Sequence, residues 1–373
     1  MKIGIDARCL EWNRGGVSRY LVNMLQLWPQ ISTEHQFVLY FQNNIPEDDF
    51  LRHPIYELKL LKGPQILKSH RIIAEQVLMP WQLYRDKLDL FFATWYTAPL
   101  LYRGVKLVVA AWDISYSTHP KHYSLIHRIS LGYFSRKSCG RADGVMTCSI
   151  FDAKQIERYY RIPSKRILTV HLAADDRFTP EHNHSEIARV RQKYGLPQRF
   201  ILSLGVIHNR RNVDLIVKAF DQIKDKFKEF SLVVVGCNNT QPYINIEELM
   251  RPMISEGRAV HVPWFEDYDL PAIYQAAHYY ICTSTVDGET IMLKEAMKSG
   301  TPVITSPMLR DAIGGYGLII DNPESINDTV KIMEVALGYD LERSARIENG
   351  IEWNAKLSWN RVANESIRFF ETR

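Results

Sequence analysis

Short β-branched and aromatic runs alternate with longer stretches of helical period along nearly the whole chain. In the first half the runs fall at 2–6, 36–41, 89–94, 106–111, 144–148 and 167–171, with helical spacing over 17–27, 73–84, 122–136 and 151–160. In the second half they fall at 200–205, 231–236, 259–263, 279–284, 302–306 and 317–321, with helical spacing over 213–223, 246–254, 270–277, 291–298, 326–337 and 358–370. Two successive sets of strand–helix units predict an α/β chain with two open parallel sheets, each covered by helices on both faces. The polar segment 175–185 reads as the connection between them. In such sheets ligands bind beyond the carboxyl ends of the strands. Chemistry is therefore expected in the strand-to-helix loops.

A length of 373 residues exceeds one ordinary core and agrees with two domains. No stretch approaches the roughly 20 apolar residues that span a bilayer. Asp6 stands where a signal peptide would continue its apolar run, so a cytoplasmic protein is expected. Cys9, Cys139, Cys148, Cys237 and Cys282 are scattered and form no C-x-x-C pair, which argues against a disulfide framework or a zinc site. The net charge of +4 divides into +8 over residues 1–180 and −4 over 181–373. A basic first half suits an anionic acceptor, a phosphate-bearing ligand or an anionic membrane surface, or is simply a solvated surface. The excess is diffuse and no nucleic-acid motif accompanies it, so no nucleic-acid partner is expected. The stretch 122–141 mixes Ile126, Ile129, Leu131, Tyr133 and Phe134 with Arg128, Arg136, Lys137 and Arg141. It reads either as a core-facing helix or as a peripheral contact with an anionic bilayer at the inner face of the membrane. His182-x-His184 reads as a solvated pair, and Asp267-Tyr268-Asp269 as the N-cap of the helix beginning near Leu270.

Three loops have the composition of ligand sites. Cys9–Tyr20 follows the first strand, and its Gly15-Gly16 allows close backbone approach at a helix start. Gly205–Asn212 follows the first strand of the second half and carries Arg210-Arg211 just before a helix; guanidinium forks and a helix N-terminus suit a diphosphate. Thr283–Met297 carries Asp287 in the loop and Glu295 one turn inside the following helix. A buried carboxylate at 295 suits both hydroxyls of a ribose; an ion pair with Lys298 is the competing reading.

At this third segment the chain resembles the family 4 glycosyltransferases, which carry a Glu-x7-Glu signature and have the GT-B fold, two Rossmann-like domains facing across a cleft. The resemblance runs nearly end to end. It covers Lys2-Ile3-Gly4-Ile5-Asp6-Ala7-Arg8 with Gly15-Gly16, the Asp113-Ile114-Ser115-Tyr116 region with Pro120, and Leu172-Ala173 before Phe178-x-Pro180. It continues through Gly205 with Arg210-Arg211-Asn212, then Asp269-Leu270 with Tyr274, then Asp287-x7-Glu295-Ala296-Met297 followed by Gly300-Thr301-Pro302-Val303-Ile304, and ends at Ser358-Trp359. It implies an acceptor-binding domain at 1–180, a nucleotide-sugar-binding domain at 181–355, and a terminal helix at 356–373 that packs back toward the first domain. It further implies retaining transfer of a hexose-type sugar from a nucleotide diphosphate sugar to a glycan or lipid-linked acceptor in polysaccharide or lipopolysaccharide assembly. No divalent metal or other cofactor is implied, since cationic side chains and helix ends carry the leaving group's charge.

By position, the resemblance assigns Arg210 and Arg211 to the diphosphate and Glu295 to the ribose. It assigns Asp287 to the donor sugar, the backbone of Gly288, Glu289, Thr290 and Ile291 to phosphate or sugar, Trp264 to the base, and Gly16, with Gly15, to close approach at the phosphates. Arg210, Arg211 and Asp287 are the expected catalytic set. Trp112 and Asp113 fall in the acceptor or sugar pocket, where Trp112 replaces the family's histidine; His119 and His122 are neighbouring imidazoles. Asp287 is one methylene shorter than the family's glutamate, and Glu289 and Thr290 replace the Phe and second Gly of a Gly-Phe-Gly turn. These departures fit either a retuned pocket, with Trp112 offering a stacking face to a sugar, or a binding subunit that has lost catalysis. A nucleotide-sugar 2-epimerase shares the architecture and is the third reading.

Overall fold

The computed structural model describes residues 1–11, 15–31, 34–68, 70–338 and 340–373; the side chains at 122, 126, 127 and 129 lie outside that description. Trp12, Asn13 and Arg14 of the first glycine loop, and the side chains of His122, Ile126 and Ile129, are therefore outside the described parts. The chain divides into two units, residues 1–172 with 359–373, and residues 173–358.

The first unit is built on β1 (Lys2–Asp6), β2 (Gln36–Phe41), β3 (Tyr56–Leu60), β4 (Leu90–Ala93), β5 (Lys106–Ala110), β6 (Gly144–Thr147) and β7 (Ile167–Thr169). They form a parallel sheet in the order β3-β2-β1-β4-β5-β6-β7, with Ile3 paired to Phe37 on one side and to Leu90 on the other. Apart from Lys2 and Lys106 at their starts, the central strands are buried, which is why they read as nearly continuous apolar runs. Strand β3 was not expected. It is an edge strand in which Glu57 and Lys59 alternate with Tyr56, Leu58 and Leu60, and that charge blunts the apolar signal. The helix Trp359–Glu371 closes this unit. Ser366 Oγ lies 3.1 Å from Tyr20 Oη, and the Phe370 ring sits between Trp28 and Phe92, with centroids at 6.0 and 5.1 Å.

The second unit is built on β8 (Phe200–Leu204), β9 (Ser231–Val235), β10 (Ala259–Val262), β11 (Tyr279–Cys282), β12 (Val303–Thr305) and β13 (Leu318–Ile319), all parallel in the order β10-β9-β8-β11-β12-β13. In both units the winding reverses beside the first strand, between β1 and β4 and between β8 and β11. That is the doubly wound order, with its ligand crevice at the reversal.

The segment 175–185 is not a free connection. Phe178 is fully buried in the second unit's core. Gln275 Nε2 donates to Thr179 O and Glu181 O at 2.9 Å, and Arg177 Nη1 donates to Asp267 O at 2.8 Å. The segment is polar because it bonds through side chains and carbonyls, not because it floats. It ends in an Asn183 cap on the helix His184–Tyr194, an element its sparse apolar positions concealed. Asp269 sits at a helix start as expected, but its side chain makes no cap bond. It is buried and meets Arg189, Lys193 (2.8 Å) and Tyr194 (2.7 Å) instead. No described helix is long and apolar enough to cross a membrane.

Candidate functional site

The loops after β8 and β11 meet at the reversal point of the second sheet and are laced together by backbone bonds. Thr285 N donates to Arg210 O at 2.8 Å, and Thr283 Oγ1 donates to Arg211 O at 2.9 Å. Asn212 adopts a left-handed conformation (φ 49°, ψ 37°), and its side-chain amide donates to Thr283 O at 3.3 Å and Pro323 O at 3.0 Å. Gly205 has φ +126°, and a Cβ there would lie 1.9 Å from Arg211 Nη1. Glycine at 205 is thus a steric condition for seating the arginine.

Both guanidiniums converge on one carboxylate. Arg210 Nε and Nη2 each donate to Asp287 Oδ1 at 3.3 Å, Arg211 Nε lies 3.6 Å from Oδ2, and Ser284 Oγ donates to Oδ2 at 2.9 Å. Burial pushes the Asp287 pKa up; Arg210, Arg211 and the Ser284 hydroxyl outweigh that and hold it below the usual carboxylate value. Two guanidiniums thus share the Asp287 carboxylate. The eight-residue helix Ile291–Lys298 begins beside them, with its unpaired N–H groups and positive dipole end. Thr290, at its N-cap position, is buried, and its hydroxyl has no hydrogen-bond partner.

Beneath this loop, Glu289 and Lys294 form an ion pair in which neither side chain has any exposure. Glu295 is also buried, and Tyr274 Oη donates to its Oε2 at 3.0 Å. The competing ion pair with Lys298 does not form: Lys298 Nζ goes to Asp176 (2.8 Å) and Ala174 O (3.2 Å). The Tyr280 ring packs 5.8 Å from Tyr274, and its hydroxyl lies within the fields of Arg211, Glu295 and Asp287. Burial above all raises its pKa, so it stays neutral. Glu295 thus stands behind the arginine–aspartate cluster through two tyrosines. Trp264, after β10, is 62% exposed and free to stack on a planar group.

The first-unit candidates behave differently. Gly15 and Gly16 are exposed at the start of the helix Gly16–Ile31, and a Cβ on either would meet nothing within 4 Å. Nothing within that unit demands glycine there. Trp112 offers no stacking face. It is 6% exposed, its indole N–H donates to Thr94 O at 2.9 Å, and its ring lies 4.6 Å from that of Tyr20. A large aromatic on the second residue after β5 is simply drawn into the core. Asp113 organises its own turn by accepting from Ser115 N (2.8 Å) and Tyr96 Oη (3.1 Å). His119 is exposed, with Nδ1 2.9 Å from Thr118 Oγ1. Among the described residues, no three His, Cys, Asp or Glu side chains are grouped to hold a metal ion.

Sequence reading missed Lys294, Ser284 and the lacing role of Asn212. A lysine five residues beyond a loop glutamate, across a helix start, was the available signal for the first.

Comparison with known proteins agrees with this geometry. Residues 186–353 match the family described as glycosyl transferases group 1. O-antigen chain mannosyltransferase B of Escherichia coli is 24% identical over 319 residues, 84% of this chain and 81% of that protein. Among solved structures, WaaG, a glycosyltransferase involved in lipopolysaccharide biosynthesis, superposes with a TM-score of 0.73 at 16% identity, over 98% of each chain. HepE of Anabaena in complex with UDP-glucose gives 0.72 at 16% identity, over 99% of each. The two doubly wound sheets are those of the GT-B fold, and the match to the glycosyl transferases group 1 model lies within the second unit.

Proposed function

We propose that the chain is a retaining, metal-independent glycosyltransferase that moves a hexose from a nucleotide diphosphate sugar to a glycan or lipid-linked acceptor in polysaccharide or lipopolysaccharide assembly. Mannose is the favoured sugar, on the strength of the mannosyltransferase relative. The observation that carries the proposal is the convergence of Arg210 and Arg211 on Asp287 beside an open helix start. As the bond from the anomeric carbon to the diphosphate oxygen breaks, negative charge grows on the leaving phosphate. The two guanidiniums and the positive end of the helix meet it there. Asp287, fixed by Ser284, holds both guanidiniums in register, and the unpartnered Thr290 hydroxyl is a ready donor to a phosphate or sugar oxygen. Glu295 supplies the ribose contact. The acceptor oxygen bonds to the anomeric carbon on the face the phosphate leaves, and the acceptor proton passes to the departing phosphate oxygen. No carboxylate nucleophile takes part.

The test is release of nucleotide diphosphate from GDP-mannose, UDP-glucose and related donors in the presence of mannan or lipid-linked acceptors, with and without EDTA. Product anomeric configuration is read by NMR. Turnover that survives EDTA and retains configuration supports the proposal. Inverted product or EDTA-sensitive turnover contradicts its mechanism. Tight nucleotide binding without turnover on any donor leaves the binding-subunit reading, which the burial of Trp112 where an imidazole is expected would then favour.

A further inference from the structure

The helical stretch that runs from Arg71 to Asp86 in the first unit has two opposite faces. Ala74, Leu78, Met79 and Leu83 face the core and are buried. Ile73, Val77, Trp81 and Tyr84, spaced at four, four and three residues, form one outward stripe. Their exposures rise along it, from 39% and 54% to 63% and 74%, and Ile66 on the preceding turn is 77% exposed. A contiguous apolar ridge of this kind is unusual on a surface that meets only water.

Within residues 60–88 the exposed charge has one sign. Lys62, Arg85 and Lys87 are exposed, and the Arg85 guanidinium lies 4.7 Å from the centre of the Trp81 ring. Between residues 60 and 88 the sequence has two acids, Glu75 and Asp86. Glu75 is fully buried against Arg8 at 2.7 Å. The Asp86 side chain is 11% exposed and is taken by Lys59 and by Tyr40 Oη at 2.6 Å. Neither is free to balance the exposed cations.

We infer that this ridge docks on an anionic lipid bilayer. Its aliphatic side chains would enter the acyl boundary, Trp81 and Tyr84 would lie at headgroup depth, and Lys62, Arg85 and Lys87 would meet lipid phosphates. A convex apolar ridge flanked by unopposed cations suits a fluid anionic surface better than a protein, which would have to bring both a matching groove and acids. In the stretch 122–141 the exposed Leu125 and Tyr133 are eight residues apart, and Ser135, Ser138 and Cys139 are buried. The inference stands on exposure and charge in residues 62–87 and is independent of the catalytic reading.

The test is co-sedimentation of the full chain with phosphatidylcholine vesicles containing about 30 mol% phosphatidylglycerol, against phosphatidylcholine alone, at about 0.1 and about 0.5 M salt. Wild type should bind the anionic vesicles and lose binding in high salt and on neutral lipid. Trp81→Ser/Tyr84→Ser and, separately, Arg85→Glu/Lys87→Glu should each lower partitioning about tenfold or more. Circular dichroism and nucleotide affinity should stay unchanged, since all four side chains are exposed and lie outside the donor site. Equal partitioning of wild type and both variants overturns the inference. So does ridge-dependent self-association in light scattering with no vesicle binding.

Discussion

Removing one member of the Glu289–Lys294 pair tests how the loop between β11 and the helix Ile291–Lys298 is held. Neither side chain touches water, so Lys294→Met removes the paired cation from a buried carboxylate, and Glu289→Met removes the paired anion from a buried ammonium. Breaking a buried pair in this way costs about 3–5 kcal/mol, whereas replacing both members with apolar groups of similar volume is near neutral or stabilising. For a domain of this size about 1 kcal/mol moves the midpoint by roughly 2–4 °C, so each single variant should melt roughly 6–20 °C lower. The Glu289→Met/Lys294→Met double variant should recover most of that loss. Scanning calorimetry of the four proteins closes the double-mutant cycle. Nucleotide affinity, measured by isothermal titration below the lowest midpoint, should follow the same order, because Glu289 lies between Asp287 and Thr290. If the single variants melt with wild type, or the double variant is as damaged as the two singles summed, the pair does not hold the loop and the reasoning fails.

Arg211→Ala should weaken nucleotide diphosphate binding by about 1–3 kcal/mol in calorimetry. Gly205→Ala should reproduce much of that loss without touching a charge, because its Cβ would occupy the space of Arg211 Nη1; an unchanged affinity would show that the arginine has another seat. Trp112→Ala should cost about 3–5 kcal/mol of first-unit stability in urea unfolding, while Trp112→Phe should leave the KM for donor sugar near wild type; a specific rise in KM would reinstate a sugar contact. His278 packs 4.8 Å from Phe230. Its burial, and then Arg343 and Arg199, lower its pKa to about 4. The unfolded chain therefore binds a proton that the folded chain refuses: this stability is fully present above about pH 6.5 and drains away as pH falls toward 4. His278→Gln should flatten the second unit's acid destabilisation over that window, and an unaltered pH–stability curve would count against it.

How far the fold was legible follows from what each element buries. Strands enclosed on both faces, such as 90–93, 107–110 and 232–235, announce themselves because every position is apolar. Tyr56–Leu60 and His184–Tyr194 bury little and were missed for that reason. Polarity misled in the segment 175–185, where carbonyls and side chains are satisfied by Gln275 and Asp267 from elements nearly a hundred residues away. At the site, the arginine pair and Asp287 were visible because they follow strands and precede helices. Which cation meets which acid was not visible. Spacing matched Glu295 with Lys298, but the fold sends Lys298 to Asp176 and buries Lys294 against Glu289. Partner choice among buried charges depends on which face of a helix turns inward, and a local pattern of charges does not state that.

The departures from the glycosyltransferase pattern bear on whether this site works or has decayed. A drifting site leaves uncompensated changes: a buried acid without a cation, or an indole whose N–H has no acceptor. Here Glu289 is matched by Lys294, and the Trp112 indole is matched by Thr94 O. Asp287 reaches two guanidiniums and Ser284 despite its shorter side chain. Removing the Lys294 charge from Glu289 would cost a sizeable part of a domain's net stability, so the two residues support each other. Among the described residues around this loop, the Thr290 hydroxyl and Arg211 Nε are buried without a hydrogen-bond partner, both close to a helix start. Unmet hydrogen-bonding capacity at the reversal point of the sheet, above charges that are paired, agrees with the proposed transferase reading better than with the binding-subunit one.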